Sequence, residues 1–166
     1  VLATAFGYAI CFNENDVRCM GRDAAGVRGI MLTDGDYVVG AEKAEEGKTL
    51  LTVTQNGYGK RTALTEYLRT GPNGEKQAQS RGGKGLKNYN ITPKTGNVAG
   101  CRVVSESDDV MLIENGGVII RIPASSINVY KRDVQGVIVM RIDDGNQVVS
   151  LERVEKMDEE ETGEQA

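Results

Sequence analysis

The chain has 166 residues, enough for one ordinary domain or for a few small repeated units with a sizeable core. No apolar run approaches the roughly 20 residues that cross a bilayer, so the sequence predicts neither a membrane span nor a membrane partner. It contains no histidine, which excludes Ser-His-Asp and Cys-His triads and His-ligated metal sites.

The cysteine and serine side chains likewise indicate no metal site, redox site or activated nucleophile. The three cysteines, Cys11, Cys19 and Cys101, lack the C-x-x-C spacing of zinc and redox sites. We expect them to be reduced and partly buried, in a cytoplasmic protein. Ser125 and Ser126 have no histidine to activate them, so we expect no catalytic residue, no metal and no cofactor in this chain.

The first predicted unit covers residues 1–50. It opens with the strand-like stretch FGYAICF at residues 6–12 and continues with the Gly-rich segment GRDAAGVRGIMLTDGDYVVGA at residues 21–41. Within that segment, Gly35 and Asp36 form a turn signal between short apolar stretches, as in a hairpin.

Two more units follow in the same layout, at residues 51–104 and 105–156. When their Gly-rich segments are laid over that of the first unit, Gly26, Gly82 and Gly136 coincide, at separations of 56 and 54 residues. Each glycine is preceded by a glycine-led strand signal and followed by a Gly turn. Three copies of one structural unit are therefore predicted.

The apolar stretches of these units are short, β-branched and broken by Gly, Asn and Asp, with no long helical period. We therefore predict an all-β protein with about four strands per unit, which is the size of one propeller blade. The clearest strand candidates are VMLI (110–113), VIIRI (118–122), VIVMRI (137–142) and QVVSL (147–151).

Charge is distributed unevenly along the chain. The formal net charge is −4, but residues 158–166 hold five acids and no base, and the remaining 19 acids against 20 bases give +1. Between Tyr58 and Lys94 there are eight bases and only two acids, Glu66 and Glu75. The sequence predicts a polyanion-binding surface in that stretch and a disordered acidic tail at residues 157–166.

The sharpest local motif is QSRGGKG at residues 79–85. Bases around a Gly pair allow backbone amides and the Arg81 and Lys84 heads to approach a phosphate without obstruction by a Cβ atom. The motif is not a nucleotide-binding P-loop, because Gly85 follows Lys84 where Ser or Thr is required. A nucleic-acid backbone is the expected ligand, and a solvated basic turn is the alternative.

The motif and the repeats together resemble the C-terminal domain of DNA gyrase A. QSRGGKG is similar to that family's box, with Gln79, Arg81, Gly82 to Gly85 matching and Ser80 replacing a base. Residues 18–32, 51–67 and 131–154 resemble the last blades of the same domain. In the family the full box lies in the first blade, whereas here the motif lies in the middle of three units.

The resemblance implies a β-pinwheel, a six-bladed disc of which this chain is half, and a basic rim that wraps double-stranded DNA without reading its sequence. It implies a non-catalytic part of an ATP-dependent bacterial topoisomerase that introduces negative supercoils. It also implies the rest of gyrase A and, through the holoenzyme, gyrase B as partners, and a cytoplasmic, nucleoid-associated location. The candidate DNA-binding residues are Arg22, Arg28, Lys60, Arg61, Arg69, Gln79, Arg81, Lys84, Lys87, Arg121 and Arg132.

Two other interpretations remain open at this point. The C-terminal blades of the related topoisomerase IV protein generally carry degenerate boxes, which the substitution at Ser80 fits. A propeller-like protein-interaction scaffold is an alternative of a different class, and in it acidic turns such as Asp143-Asp144 are simply solvated. Binding to plain duplex DNA at low salt separates the scaffold from both DNA-binding interpretations.

Overall fold

The regular secondary structure of the described residues is almost entirely β-strand, as predicted. The structure, a computed structural model, describes residues 1–155. Among them the helical segments are three single 3₁₀ turns, Glu14–Asp16, Leu64–Tyr67 and Ala124–Ser126. The strands are β1 (Leu2–Thr4), β2 (Tyr8–Ile10), β3 (Val38–Ala41), β4 (Thr49–Thr54), β5 (Tyr58–Ala63), β6 (Arg69–Thr70), β7 (Lys76–Gln77), β8 (Leu86–Lys87), β9 (Val98–Val104), β10 (Asp109–Glu114), β11 (Ile119–Pro123), β12 (Val137–Ile138) and β13 (Val148–Val154).

The strands form three antiparallel blades and one small hairpin. Blade one has the order β3-β1-β2-β8, blade two β9-β4-β5-β12, and blade three β13-β10-β11. Strands β6 and β7 form the separate hairpin. The outermost strand of blade one, β8, comes from the second unit, and that of blade two, β12, comes from the third. Neighbouring units are thus joined by shared sheets.

The register of these shared strands corrects the predicted alignment. Leu86 pairs with Ala9, and Val137 pairs with Gly59, which is the corresponding position of blade two. The glycine that precedes Leu86 is Gly85, so Gly85 is the counterpart of Gly136. The alignment of Gly82 with Gly136 was wrong by three residues, because QSRGGKG offers three glycines and the sequence alone does not show which of them meets the neighbouring blade.

Gly85 and Gly136 need to be glycine for two reasons. Both have a positive φ, 78° and 77°, which side chains rarely adopt. A Cβ atom on either one would collide with a backbone carbonyl of the preceding blade, that of Ala9 or Gly59. Strand β12 is also shorter than the predicted strand 137–142, because only Val137–Ile138 pairs before the chain turns away.

The apolar core lies between the blades. One cluster joins blades one and two through residues such as Ala3, Ala9 and Leu50. A second joins blades two and three through residues such as Leu51 and Leu112. Blade two contributes to both clusters with its two faces, since successive side chains of a strand point to opposite sides.

The remaining sequence predictions have mixed outcomes. Cys11 and Cys101 are free and buried as expected, but Cys19 is free and exposed. No helix within residues 1–155 has the length and apolar character needed to cross a membrane. The predicted disordered tail lies outside the described residues.

Candidate nucleic-acid interface

The box-like motif, residues 79–85, joins the first and second units. Its first residue, Gln79, is buried: the backbone N–H donates to the carbonyl of Cys11 at 2.7 Å, and the side-chain Nε2 donates to the carbonyl of Tyr67 at 2.8 Å. Gln79 was predicted as a DNA contact, and the structure instead places it inside the protein as an anchor of the loop.

Arg81 lies on the seam between the same two units. Its Nε donates to the carbonyl of Asp16 at 3.0 Å, and its Nη1 donates to the carbonyl of Arg28. Beside it the Gly82 N–H donates to the carbonyl of Gly29 at 2.8 Å. These bonds fix the guanidinium against the 3₁₀ turn and Gly-rich segment of unit one, so Arg81 holds the loop in place as well as carrying charge.

Lys84 is the exposed cation of the motif. Its Nζ lies 5.1 Å from the centroid of the Tyr8 ring, in a cation–π arrangement. Lys87 follows on β8, also exposed, with its Nζ donating to Oδ1 of Asn90 at 3.2 Å. Both ammonium groups keep donors available for a ligand.

A polar cleft adjoins β8, with Leu86 in its lining. It has a volume of about 410 Å³ and is lined by three cations, Arg69, Lys76 and Arg132, and one carboxylate, Glu66. The hairpin β6–β7 supplies Arg69 and Lys76, and Nη1 of Arg132 donates to the carbonyl of Lys87 at 3.1 Å. We call this feature the basic cleft. The excess of cations suits a phosphate group.

Lys60 is not on the surface, which corrects its prediction as a DNA contact. It is fully buried in β5, with its Nζ donating to the carbonyls of Lys131, at 2.7 Å, and Arg132 and lying 5.2 Å from the centroid of the Tyr89 ring. Desolvation by burial lowers the pKa of its ammonium to about 7, opposed by the nearby Asp133 carboxylate.

Arg61 is likewise buried, and it links blade two to the third unit. Its Nε donates to the carbonyl of Ile127 at 2.6 Å, and its Nη1 pairs with Glu106 at 2.8 Å. Lys60 and Arg61 were predicted as DNA contacts because they contribute to the basic stretch. Their heads are instead occupied by partners that lie 45 to 72 residues further along the chain.

The other predicted cations lie in separate places. Arg22 and Arg28 are exposed on the Gly-rich segment of unit one, and Arg28 is next to the box-like motif through its bond from Arg81. Arg121 lies on β11, at the far edge of blade three, in an ion pair with Asp109 at 2.9 Å. The contacts described within residues 1–155 therefore join Arg81 to Arg28 and Arg132 to Lys87, but they do not bring Arg121 to either pair.

Two exposed lysines next to the predicted groups, Lys76 and Lys131, were missing from the predicted set. Lys76 lines the basic cleft, and Lys131 precedes Arg132 on the segment held by Lys60. Lys76 belongs to the basic stretch, so the charge count was the signal that could have identified it. Among the described residues no group of three or more His, Cys, Asp or Glu side chains could hold a metal ion.

Comparison with protein families agrees with this geometry. The family model described as "DNA gyrase C-terminal domain, beta-propeller" matches residues 1–45, 48–76, 77–105 and 108–155. The predicted family resemblance and the predicted propeller-like blades are both confirmed.

Relatives and solved structures give the same result. The DNA gyrase A protein of Staphylococcus epidermidis is 40% identical over 96% of the chain, and that of Escherichia coli (strain K12) is 40% identical over 97%. The chain spans only 17% and 18% of those proteins. A solved DNA gyrase A C-terminal domain matches with a TM-score of 0.80 and 29% identity, over 92% of this chain and 49% of that one. A topoisomerase IV C-terminal domain matches with a TM-score of 0.82 and 28% identity, over 93% and 46%.

Proposed function

The chain belongs to the family of DNA gyrase C-terminal domains, and on that premise we propose that it binds and wraps double-stranded DNA. The observation that carries the proposal is the set of cations on the box-like motif, on β8 and in the adjoining basic cleft, which we call the basic surface. Lys84, Lys87, Arg69, Lys76 and Arg132 supply its cations.

The ligand that fits this surface is duplex DNA bound without regard to sequence. Exposed lysine and arginine heads neutralise phosphates, which are the same along every duplex. The chain has only two Phe and six Tyr, and Tyr67 and Tyr89 are fully buried, so few rings are available for stacking on single strands.

The proposed role in the whole enzyme follows from the family. The chain would be a non-catalytic part of the gyrase A protein of a bacterial DNA gyrase, acting with the rest of gyrase A and with gyrase B in ATP-dependent negative supercoiling. A cytoplasmic, nucleoid-associated location goes with that role. Identity of about 40% to gyrase A proteins over nearly the whole chain favours gyrase over topoisomerase IV.

Salt-titrated binding to a linear duplex of a few tens of base pairs tests the proposal. We expect each of the variants Lys84→Ala, Arg69→Ala and Lys76→Ala to weaken binding, and to do so by the same factor for duplexes of different sequence. Each should also reduce the slope of log K against log salt by about one, because one phosphate contact releases about one counterion.

Lys43→Ala is the matched control, since Lys43 is exposed but lines a different cleft together with Glu14 and Glu42. Its affinity and slope should equal those of the parent. A triple variant of Lys84, Arg69 and Lys76 that binds like Lys43→Ala would rule out the basic surface. A parent chain that does not bind duplex at low salt would favour the scaffold interpretation.

A further inference from the structure

Unit two contains an insertion that units one and three lack. In unit three the 3₁₀ turn is separated from Gly136 by nine residues, and in unit one the turn is separated from Gly26 by nine residues. In unit two the turn is separated from Gly85 by 17 residues. The eight additional residues belong to the hairpin β6–β7, which has no equivalent in the other two units within residues 1–155.

The insertion lies between two fixed points that units two and three share. In both units the residue after the 3₁₀ turn donates its N–H back into that turn. In unit two the N–H of Gln79 then donates to the carbonyl of Cys11 in the preceding unit, and in unit three the N–H of Tyr130 donates to that of Arg61 in the same way. Because the chain is fixed at both points with or without the hairpin, the hairpin is an addition to the blade and not part of its framework.

The hairpin is held in shape by its own hydrogen bonds. The Glu75 carboxylate accepts from the N–H of Asn73 at 3.0 Å and from Nε2 of Gln77 at 2.6 Å, and Nζ of Lys76 donates to Oγ1 of Thr70 at 3.1 Å. The one carboxylate of the hairpin is thus used within its turn, whereas both of its cations line the basic cleft.

The hairpin also distinguishes two otherwise similar seams between units. Arg81 and Arg132 each lie four residues before the glycine of their unit, and each donates through Nη1 to a carbonyl of the preceding unit, that of Arg28 or Lys87. The described part of unit one supplies no hairpin beside Arg81, whereas unit two supplies one beside Arg132. The cations of the basic cleft therefore come from two elements, the hairpin and the segment that carries Arg132.

We propose that the hairpin β6–β7 is an added DNA-binding arm, and that one backbone of the duplex passes through the basic cleft between the hairpin and Arg132. This inference rests on the proposed function, the binding of duplex DNA. Cations from two elements can neutralise phosphates of a backbone that lies between them. Residues 69–76 carry two cations and one carboxylate, a net charge of only +1, so the arm acts through the position of its cations and not through the overall charge.

Deletion of residues 69–76 in the full chain tests the arm. The deletion gives unit two the spacing of units one and three, so the thermal unfolding of the parent should be retained. We expect affinity for duplex DNA to fall about tenfold and the slope of log K against log salt to fall by about two, one for each lost cation. Lys43→Ala is the matched control, because it also lowers the net charge by one but lies in a different cleft, and it should bind like the parent.

A second variant keeps the hairpin and removes only its cations. Arg69→Gln with Lys76→Gln should reproduce the loss of affinity and of slope, and it decides the matter if the deletion disturbs the fold. Equal slopes for the parent and this variant would overturn the arm and would leave DNA binding to Lys84 and Lys87.

Glu66 gives a test in which binding should become tighter. Its carboxylate lies in the lining of the basic cleft and repels a phosphate there, so Glu66→Gln should raise duplex affinity about threefold at low salt. The matched control is Glu14→Gln, since Glu14 is exposed and lines the same cleft as Lys43. In the chain without residues 69–76, Glu66→Gln should lose most of its effect, because the backbone is no longer held in the cleft.

The remaining outcomes separate this inference from the proposed function. An equal gain for Glu66→Gln with and without the hairpin, or an equal gain for Glu14→Gln, would overturn the path through the cleft while DNA binding stands. A parent chain that does not bind duplex at low salt would overturn both the arm and the proposed function.

Discussion

At the scale of single residues, the most informative side chain is Lys60. Its ammonium group is fully buried, and it binds two backbone carbonyls of the segment that carries Lys131 and Arg132. Burial of a cation in a protein requires such partners. Lys60 therefore acts on the basic surface indirectly, by fixing the position of the loop that presents Arg132 to the basic cleft.

The lowered pKa of Lys60 predicts a pH dependence of stability. The native state releases the proton near pH 7 while the unfolded chain keeps it until about 10.5. The unfolded state thus binds more protons between those values, and the free energy of unfolding should rise by about 1–3 kcal/mol between pH 7 and 9. Urea denaturation at several pH values measures it.

The variant Lys60→Met should unfold more easily than the parent at pH 9, because the carbonyls of Lys131 and Arg132 lose their donor. Its free energy of unfolding should not rise between pH 7 and 9. The matched control is Lys43→Met, which replaces an exposed lysine and should keep the rise of the parent. A parent whose stability is flat from pH 7 to 9 would contradict the prediction.

The basic stretch was predictable from sequence, but the environment of each base within it was not. Lys60 and Arg61 look like Lys84 and Lys87 in a charge count, although the first two are buried and the last two exposed. What separates them is the partner groups Lys131, Ile127 and Glu106, which are remote in sequence. Only the fold brings those partners close.

At the scale of elements, the short strands shared between units determine how the blades connect. Strand β8 extends blade one and strand β12 extends blade two, each through only two residues. Repeat length and turn glycines predicted the units, but strands of two residues carry too little pattern to show which sheet they join. The misplacement of Gly82 has the same cause.

The close approach at Gly85 predicts a large cost for a side chain there. Gly47→Ala, at a φ of 79° in open space, should cost only the conformational strain of about 1–2 kcal/mol. Gly85→Ala, at nearly the same φ, should cost about 1–3 kcal/mol more, because its methyl group collides with the backbone of blade one. Chemical denaturation of both variants gives the comparison, and equal costs would show that the blades can separate there without penalty.

At the scale of the whole molecule, the two largest buried apolar clusters lie between blades. Each blade is a single sheet, and a sheet of three or four strands buries its faces only against its neighbours. Because blade two contributes to both clusters, disruption of either cluster should destabilise all three blades.

Truncations in the two clusters should therefore shift one common unfolding transition. We expect Leu50→Ala, between blades one and two, and Leu112→Ala, between blades two and three, each to cost about 2–5 kcal/mol. Ile138→Ala is the control, since Ile138 is 56% exposed, and it should change stability by less than about 0.5 kcal/mol. Two resolved transitions, with each truncation moving only one of them, would indicate blades that unfold independently.

Because neighbouring units share strands, the order of translation also sets the order in which the sheets can be completed. Strands β1 and β2 lie within residues 2–10, yet the sheet they belong to is finished only when Leu86 and Lys87 have been synthesised. The next sheet likewise waits for Val137 and Ile138. Blades one and two thus each keep an open edge until the following unit has been translated, so each of these two sheets is completed one unit later than its first strands.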